Sequence, residues 1–306
     1  MPVNKPGKKL AVACSGGADS LALAVIASRE WDVTALIVNH NLREAAKTEA
    51  ERASKILAKL GIKNKILEYK GKAPTSNVQE EARKIRYKIL TDYCKKNGFT
   101  TLATAHHADD NAENFLLRLA RGSGVDGLSA MRPETTMDGI RIIRPLLKHT
   151  KQELVDFLKS EKIKWVEDAT NKTDKYKRNS LRHALEKVED KELITKRIND
   201  ASYNMARVKD YLERQTSRAE KKIFAYANNS AEMDITKFAK LHEEIAFRAL
   251  SAAIAKLSPK PKRPRFTELQ TLKEAILKNQ KKTLAGLVFA PQKGKNPGKF
   301  LIAIEK

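Results

Sequence analysis

Residues 10–27, LAVACSGGADSLALAVIA, constrain the chain more than any other stretch. A five-residue apolar run meets Ser15-Gly16-Gly17-Ala18-Asp19-Ser20, and a run rich in alanine and leucine follows. The first run has typical strand length and the second favours helix, so the stretch reads as strand, tight loop, helix. Adjacent glycines let the backbone turn sharply and approach a ligand with no Cβ in the way. The first N–H groups of the new helix lack partners within it, and with the helix dipole they attract an anion such as phosphate. Ser15 and Ser20 add hydroxyl donors, and Asp19 can hold the Mg²⁺ that accompanies a polyphosphate.

The loop lacks the Gly-Lys-Ser/Thr ending of a Walker A motif, so no lysine is placed on the β- and γ-phosphates. It resembles instead the SGGxDS loop of the PP-loop ATP pyrophosphatases. That resemblance implies that residues 15–20 hold the pyrophosphate end of ATP, Gly16, Gly17 and Ala18 through their backbone. It also implies transfer of AMP to a carbonyl oxygen. An ordinary glycine turn between a core strand and a core helix would explain two glycines, but hardly all five specified letters at such a junction.

Strand-like runs at 10–14, 33–38, 65–69, 101–105 and 140–144 alternate with helical patterns at 20–28, 47–60, 77–97, 111–121 and 151–161. This alternation predicts an α/β fold, a doubly wound parallel sheet with right-handed crossovers and a ligand at the strands' carboxyl ends. From Glu186 the pattern changes to one long amphipathic helix over 187–224, with no strand alternation. Helices at 241–257 and 267–279 follow, separated by a basic, proline-rich linker, and then strands at 283–289 and 299–304 around PQKGKNPG. The expected domains are a catalytic one over 1–185, a helical linker over 186–224 and a small basic α+β domain over 225–306.

Polar clusters follow the strands. Val38-Asn39-His40-Asn41-Leu42-Arg43 sets His40 and Arg43 just past a strand tip, in reach of adenine or phosphate. The helix over 77–97 starts on a capping-box pattern and carries an apolar stripe of Val78, Ala82, Ile85, Ile89 and Tyr93. Arg86 sits within that stripe, an expensive place for a charge unless an anion or carboxylate meets it, and Arg83 adjoins it. In AHHADDNAE, Asp110 and Glu113 are spaced i, i+3 and share one face of a helix's first turn. Acids there also suit the helix dipole, which is the plain explanation. A transition-metal reading of His-His-x-Asp-Asp finds no further ligand cluster. Arg121-Gly122-Ser123-Gly124 closes that helix with a loop able to wrap phosphate.

Together SGGADS, VNHNLR, NVQEEARKIRY, AHHADDNAENFLLRLARGSGVDGL and RPLL resemble the bacterial tRNA(Ile)-lysidine synthetases. WVEDATN (165–171) and RNSLRH (178–183) resemble that family's W-x-x-D-x-T-N and R-N-x-x-R-H strings, and the likeness is close over about residues 8–185. The resemblance implies ligation of L-lysine to C2 of the wobble cytidine in the CAU anticodon of tRNA(Ile). The cytidine carbonyl oxygen would attack the α-phosphate of ATP, releasing pyrophosphate, and the lysine amine would then displace AMP. It further implies that Asp19 holds Mg²⁺, that Asp110 and Glu113 bind the lysine ammonium, and that Arg86 and Arg178 neutralise phosphate. His107 and Arg182 would add substrate contacts, and His40, Arg43, Arg121 and Gly122 would touch ATP. Rival readings are another PP-loop enzyme such as a tRNA thiolase or an amidotransferase-type synthetase, or a non-catalytic tRNA-binding protein.

The net charge of +23 on 306 residues suggests a polyanionic partner. Residues 251–306 hold 13 Lys and Arg against 3 Asp and Glu, whereas 186–250 are nearly balanced, so a nucleic-acid footprint is expected in the tail. Two cysteines, Cys14 and Cys94, form no CxxC and read as small buried hydrophobes rather than disulfide or cluster ligands. No apolar run is long enough to span a bilayer and no signal peptide is evident, so a cytoplasmic protein without a membrane partner is expected; a homodimer is left open.

Overall fold

The computed structural model describes residues 8–39, 45–71, 78–166, 181, 188–259, 264–292 and 298–305. The chain divides into two compact units, Met1–Ala206 and Arg207–Lys306.

The first unit runs β1 (Lys9–Ala13), α1 (Ala18–Ser28), β2 (Asp32–Asn39), α2 (Ala45–Lys59), β3 (Lys63–Glu68), α3 (Val78–Lys96), β4 (Thr101–Ala103) and α4 (Ala108–Leu119). It continues through α5 (Val125–Leu128), β5 (Glu134–Met137), β6 (Ile140–Ile143), α6 (Lys151–Ser160) and the first half of α7 (Lys191–Ile223). The sheet order is β3-β2-β1-β4-β6-β5, parallel but for β5 at the edge. Successive residues of a strand face opposite sides, and β1 serves two cores accordingly. Leu10, Val12 and Cys14 pack with α1, α2 and α6, while Ala11 joins Tyr87, Leu90 and Cys94 of α3 on the other face. That makes three layers, the architecture expected of the alternating pattern.

The order also locates the ligand crevice. From β1 the chain winds outward to β2 and β3, then crosses back to β4 on the other side of β1. Crossovers therefore diverge between β1 and β4, opening a crevice at their carboxyl ends. The loops that leave those ends are residues 14–17 and 104–107.

The second unit contains the rest of α7, then β7 (Phe224–Ala227), β8 (Ser230–Asp234), α8 (Ile235–Phe238), α9 (Glu243–Leu257), α10 (Phe266–Leu277), β9 (Lys282–Leu284), β10 (Leu287–Pro291) and β11 (Lys299–Ile304). Its antiparallel sheet, β7-β8-β11-β10-β9, packs Met233, Phe289, Phe300 and Ile302 against Phe247, Leu250 and Ile254 of α9 and Leu272 and Ile276 of α10. No helix among the described residues is long and apolar enough to cross a membrane.

Several expected elements need correction. The strand read over 283–289 is two strands, β9 and β10, because Ala285 and Gly286 both adopt positive φ, 55° and 74°. Two such residues between paired Leu284 and Leu287 make a tight hairpin turn of the primed kind. The β7–β8 hairpin and the edge strand β5 fall where no strand was expected. In β8 the buried Ala231 and Met233 alternate with half-buried polar residues, a period-2 signal too short to stand out beside the long helical pattern. In α3 the buried face is Tyr87, Leu90, Thr91 and Cys94, not the stripe through Ala82, Ile85, Ile89 and Tyr93, whose members are only half-buried. The shift of that face exposes a different pair of flanks, and it puts Tyr87 and Arg86 towards the crevice. Val78 of the expected stripe has no described side chain.

Candidate active site

Gly16 carries the tightest requirement in the loop after β1. Its φ is +87°, and a Cβ there would lie 2.6 Å from the Ala53 Cβ of α2. Its carbonyl also accepts a hydrogen bond from Val166 N–H at 3.0 Å. Gly16→Ala is expected to cost about 2 to 5 kcal/mol, combining a left-handed backbone with overpacking. Urea unfolding is the check, and an unchanged midpoint would show that α2 yields freely.

Gly17 is the N-cap of α1 and offers no side-chain cap, so the first N–H groups of that helix remain open to a ligand. Ser15 is exposed beside them. The Ser20 hydroxyl is differently employed: it donates to the Gly17 carbonyl at 3.0 Å and accepts from Ser15 N–H at 3.1 Å. Its single proton therefore shapes the loop. Asp19, in the first turn, is half-buried, and its Oδ1 is a buried atom with no hydrogen-bond partner among the described residues. An anionic oxygen left so is costly unless a cation meets it, and a hard oxygen donor of this kind fits Mg²⁺.

Across the crevice, β4 leads into His106 and His107 and then α4. His107 is 3% exposed and faces three carboxylates: Asp19 at 3.6 Å, Asp109 at 3.4 Å and Asp110 at 3.4 Å. Burial opposes its protonation, but Asp109, Asp19 and Asp110 outweigh it and push the pKa up to about 10. The imidazolium is thus a counter-ion that ties α1 to the start of α4. Asp109 shows the reverse: burial would raise it, yet His107, the Lys151 N–H and Lys191 hold it down to about 2. Asp110 Oδ2 also accepts the His107 backbone N–H at 3.3 Å.

His106 is the neutral partner. Burial lowers its pKa to about 4, Asp110 opposing and Arg83, Arg144 and Arg86 reinforcing the shift. Thr104 Oγ1 lies 3.0 Å from its Nδ1 and fixes the ring.

These groups surround a cavity of about 500 Å³, within the range that accommodates a nucleotide-sized ligand. Ser15, Gly17, Asp19, Ser20, Arg86 and Asp110 line it, as do Arg83, Tyr87 and His106. Glu113, one turn beyond Asp110, is 3% exposed and does not line the cavity. His107 lies behind the wall rather than in it. Arg121 is exposed at the other end of α4, about 18 Å along a helix of 12 residues. Gly122 follows it with φ +71°, ending the helix in a left-handed turn. His40, Arg43, Arg178 and Arg182 lie outside the described residues, as does most of WVEDATN.

The first turn of α4 is anchored from a distance. Asn199 of α7 donates to the Ala108 carbonyl at 3.0 Å and accepts from Asn111 Nδ2 at 2.7 Å, while Asn111 Oδ1 takes the Met131 N–H at 2.9 Å. Each of these buried amides would cost about 1–3 kcal/mol if left unpaired, so the network fixes α4 firmly. Sequence reasoning missed Asn199, His106 and Arg144. His106 could have been found from its place between strand tip and helix, whereas nothing local marks Asn199.

Both cysteines are buried, and burial raises their thiol pKa values, that of Cys94 to about 11. Neither is a reactive thiolate.

The family model described as the PP-loop domain matches residues 2–189. A tRNA(Ile)-lysidine synthase of Wolbachia sp. subsp. Brugia malayi is 37% identical over 88% of this chain and 64% of its own length. That of Wolbachia pipientis wMel is 37% identical over 91% and 67%, and that of Rickettsia bellii 35% over 94% and 68%. The chain thus spans about two thirds of the length of these relatives. Among solved structures, the U34-tRNA thiolase of Methanococcus maripaludis with its [4Fe-4S] cluster superposes with a TM-score of 0.55 at 21% identity, covering 68% of this chain and 73% of that one. At that identity the likeness is one of fold.

Proposed function

The chain belongs to the PP-loop domain family and, within it, to the tRNA(Ile)-lysidine synthases, and from that membership we propose that it ligates L-lysine to the wobble cytidine of a CAU anticodon. The observation that carries the proposal is one cavity with two opposed chemistries. The loop of residues 15–20 and the arginines suit phosphate, and Asp110 suits an ammonium.

The roles follow from charge and position. Open N–H groups at the start of α1 receive the pyrophosphate end of ATP, a substrate here, and stabilise the charge that develops as it leaves. Asp19 would hold Mg²⁺, which supplies charge neutralisation to the polyphosphate when bound. Arg86 faces the transferred phosphate. Asp110 binds the side-chain ammonium of lysine and is placed to take its proton before the amine attacks. His107 is a positioning residue, keeping Asp19 and Asp110 within reach of one another. Glu113, buried beneath Asp110, supports the acidic end. Arg178, Arg182, His40 and Arg43 stay in the proposal as tRNA or ATP contacts. The substrate is a tRNA, and the activity belongs in the cytoplasm.

The thiolase reading fares worse. The neighbour of similar fold carries a [4Fe-4S] cluster, whereas this chain has two cysteines in all, both buried with raised pKa values. Incubation with tRNA(Ile), ATP-Mg and labelled lysine decides the matter. Label retained in the wobble cytidine is the expected result, and AMP and pyrophosphate release without it would overturn the reading.

The basic second unit is proposed to hold tRNA, and the structure changes how that is tested. Truncation at residue 258 would remove α10, β9, β10 and β11, and with them Leu272, Ile276, Phe289, Phe300 and Ile302 of the core. Charge reversal at Lys278, Lys281 and Lys282 is cleaner, because all three are exposed. If they meet phosphates, each reversal should weaken tRNA binding and reduce the salt slope by about 0.7 to 0.9. Unchanged affinity and slope in the triple variant would leave these lysines as solubilising surface.

A further inference from the structure

Two guanidinium groups, Arg83 and Arg86, line the cavity, whose wall also carries Glu49, and a third, Arg144, stands close to them; among the described residues no carboxylate pairs with any of the three. Arg83 and Arg86 stand over the Tyr87 ring, at 5.1 and 5.8 Å from its centroid. Arg144, from the end of β6, stands beside the same phenol. It donates to the Arg132 carbonyl at 2.8 Å, and its Nε is a buried donor with no partner among the described residues. Burial disfavours the charged forms of Arg86 and Arg144, the neighbouring Arg83 adds to that, and the Tyr87 phenol opposes it. Two half-buried cations with a third, exposed one beside them favour an anion that meets them. His106 lines the same cavity and feels both Asp110 and the arginines, and burial keeps its ring neutral.

We propose that Arg83 and Arg144 join Arg86 around Tyr87 to form a second phosphate site, separate from the pyrophosphate cradle of residues 15–20, that takes the phosphate of a phosphate ester. Planar guanidinium forks suit such an oxygen pair, and a phenol face orders two of them. The site rests on reading the cavity as one for a nucleotide. Its ligand is either the phosphate of AMP, a monoester, or a backbone phosphodiester of the RNA, since both offer anionic phosphate oxygens to a guanidinium.

The test measures equilibrium binding of AMP, of pyrophosphate and of an RNA hairpin carrying the CAU anticodon to the full chain. Arg83→Gln comes first, because Arg83 is exposed and its loss threatens no core. If the phosphate is that of AMP, R83Q and R144Q each weaken AMP binding about tenfold, one charge-assisted bond's worth, and leave pyrophosphate binding unchanged. If it belongs to the RNA, AMP binding holds, hairpin affinity falls by a similar factor and the salt slope drops by about 0.7 to 0.9. AMP and hairpin affinities that both match the wild type in R83Q overturn the proposal, as would a loss confined to pyrophosphate. Should R144Q fail to fold, R83Q decides alone, and R144K, which keeps the charge, should retain most of the binding. Lysine incorporation is not measured, so failure of the ligase reading would show separately in the wild-type protein.

Discussion

Asp19→Ala is expected to abolish pyrophosphate release from ATP, by at least about a hundredfold, while leaving tRNA binding within about twofold of the wild type. The size follows from what the carboxylate does. Its Oδ1 is a buried anionic oxygen with no partner among the described residues, at the foot of the phosphate loop, and its Oδ2 faces the His107 imidazolium. Alanine removes the cation-binding oxygen and also leaves His107 with two carboxylates instead of three, so the charge balance behind the loop becomes more positive. Neither change touches the basic surface of the second unit. Asp19→Asn separates the two effects, since it keeps the shape and one oxygen but loses the charge. Pyrophosphate release is followed directly with tRNA(Ile) and ATP-Mg, and tRNA binding by filter retention. Near-normal release from the alanine variant would remove Asp19 from the machinery.

The second large effect is expected at the acidic end of the cavity. Asp110→Asn should raise the lysine concentration needed for half-maximal rate by roughly 10- to 100-fold, the loss of one hydrogen bond between charged groups. ATP use should change much less, because Asp110 belongs to α4 and supplies none of the phosphate loop's donors. Glu113→Gln should act in the same direction but less strongly, since Glu113 is buried behind the wall. Pyrophosphate exchange without lysine separates the two steps: it should survive Asp110→Asn and the lysine dependence should not. An unchanged lysine requirement in both variants would refute an ammonium site here.

The phosphate loop, the α/β class and the acidic first turn of α4 were all legible from residue order alone. Each is a local matter: a glycine pair before a helix, a period of hydrophobicity, a carboxylate spacing of three. Family resemblance in strings such as SGGADS and AHHADDNAE added the reaction, because those strings carry chemistry within a few residues of one another. What remained hidden were facts of distance. Asn199 lies 88 residues from its partner Asn111, and Arg144 lies 58 from Arg86, so no window along the chain contains either pair. The face that α3 buries was misread for the same reason. Both candidate stripes are apolar at helical spacing, and only packing on the sheet, with Leu36, Leu102, Ile140 and Ile142, selects Tyr87, Leu90 and Cys94. That choice turns Arg86 towards the cavity and brings Arg83 with it. Arg121 went the other way: adjacent in sequence to the acidic turn's helix, it is carried to the far end by the helix rise. Residue order therefore determined which chemical groups this protein has and which short elements carry them. Which groups share a cavity was decided by the divergence of the crossovers between β1 and β4, since a crevice between strands distant in sequence exists only once the sheet has formed.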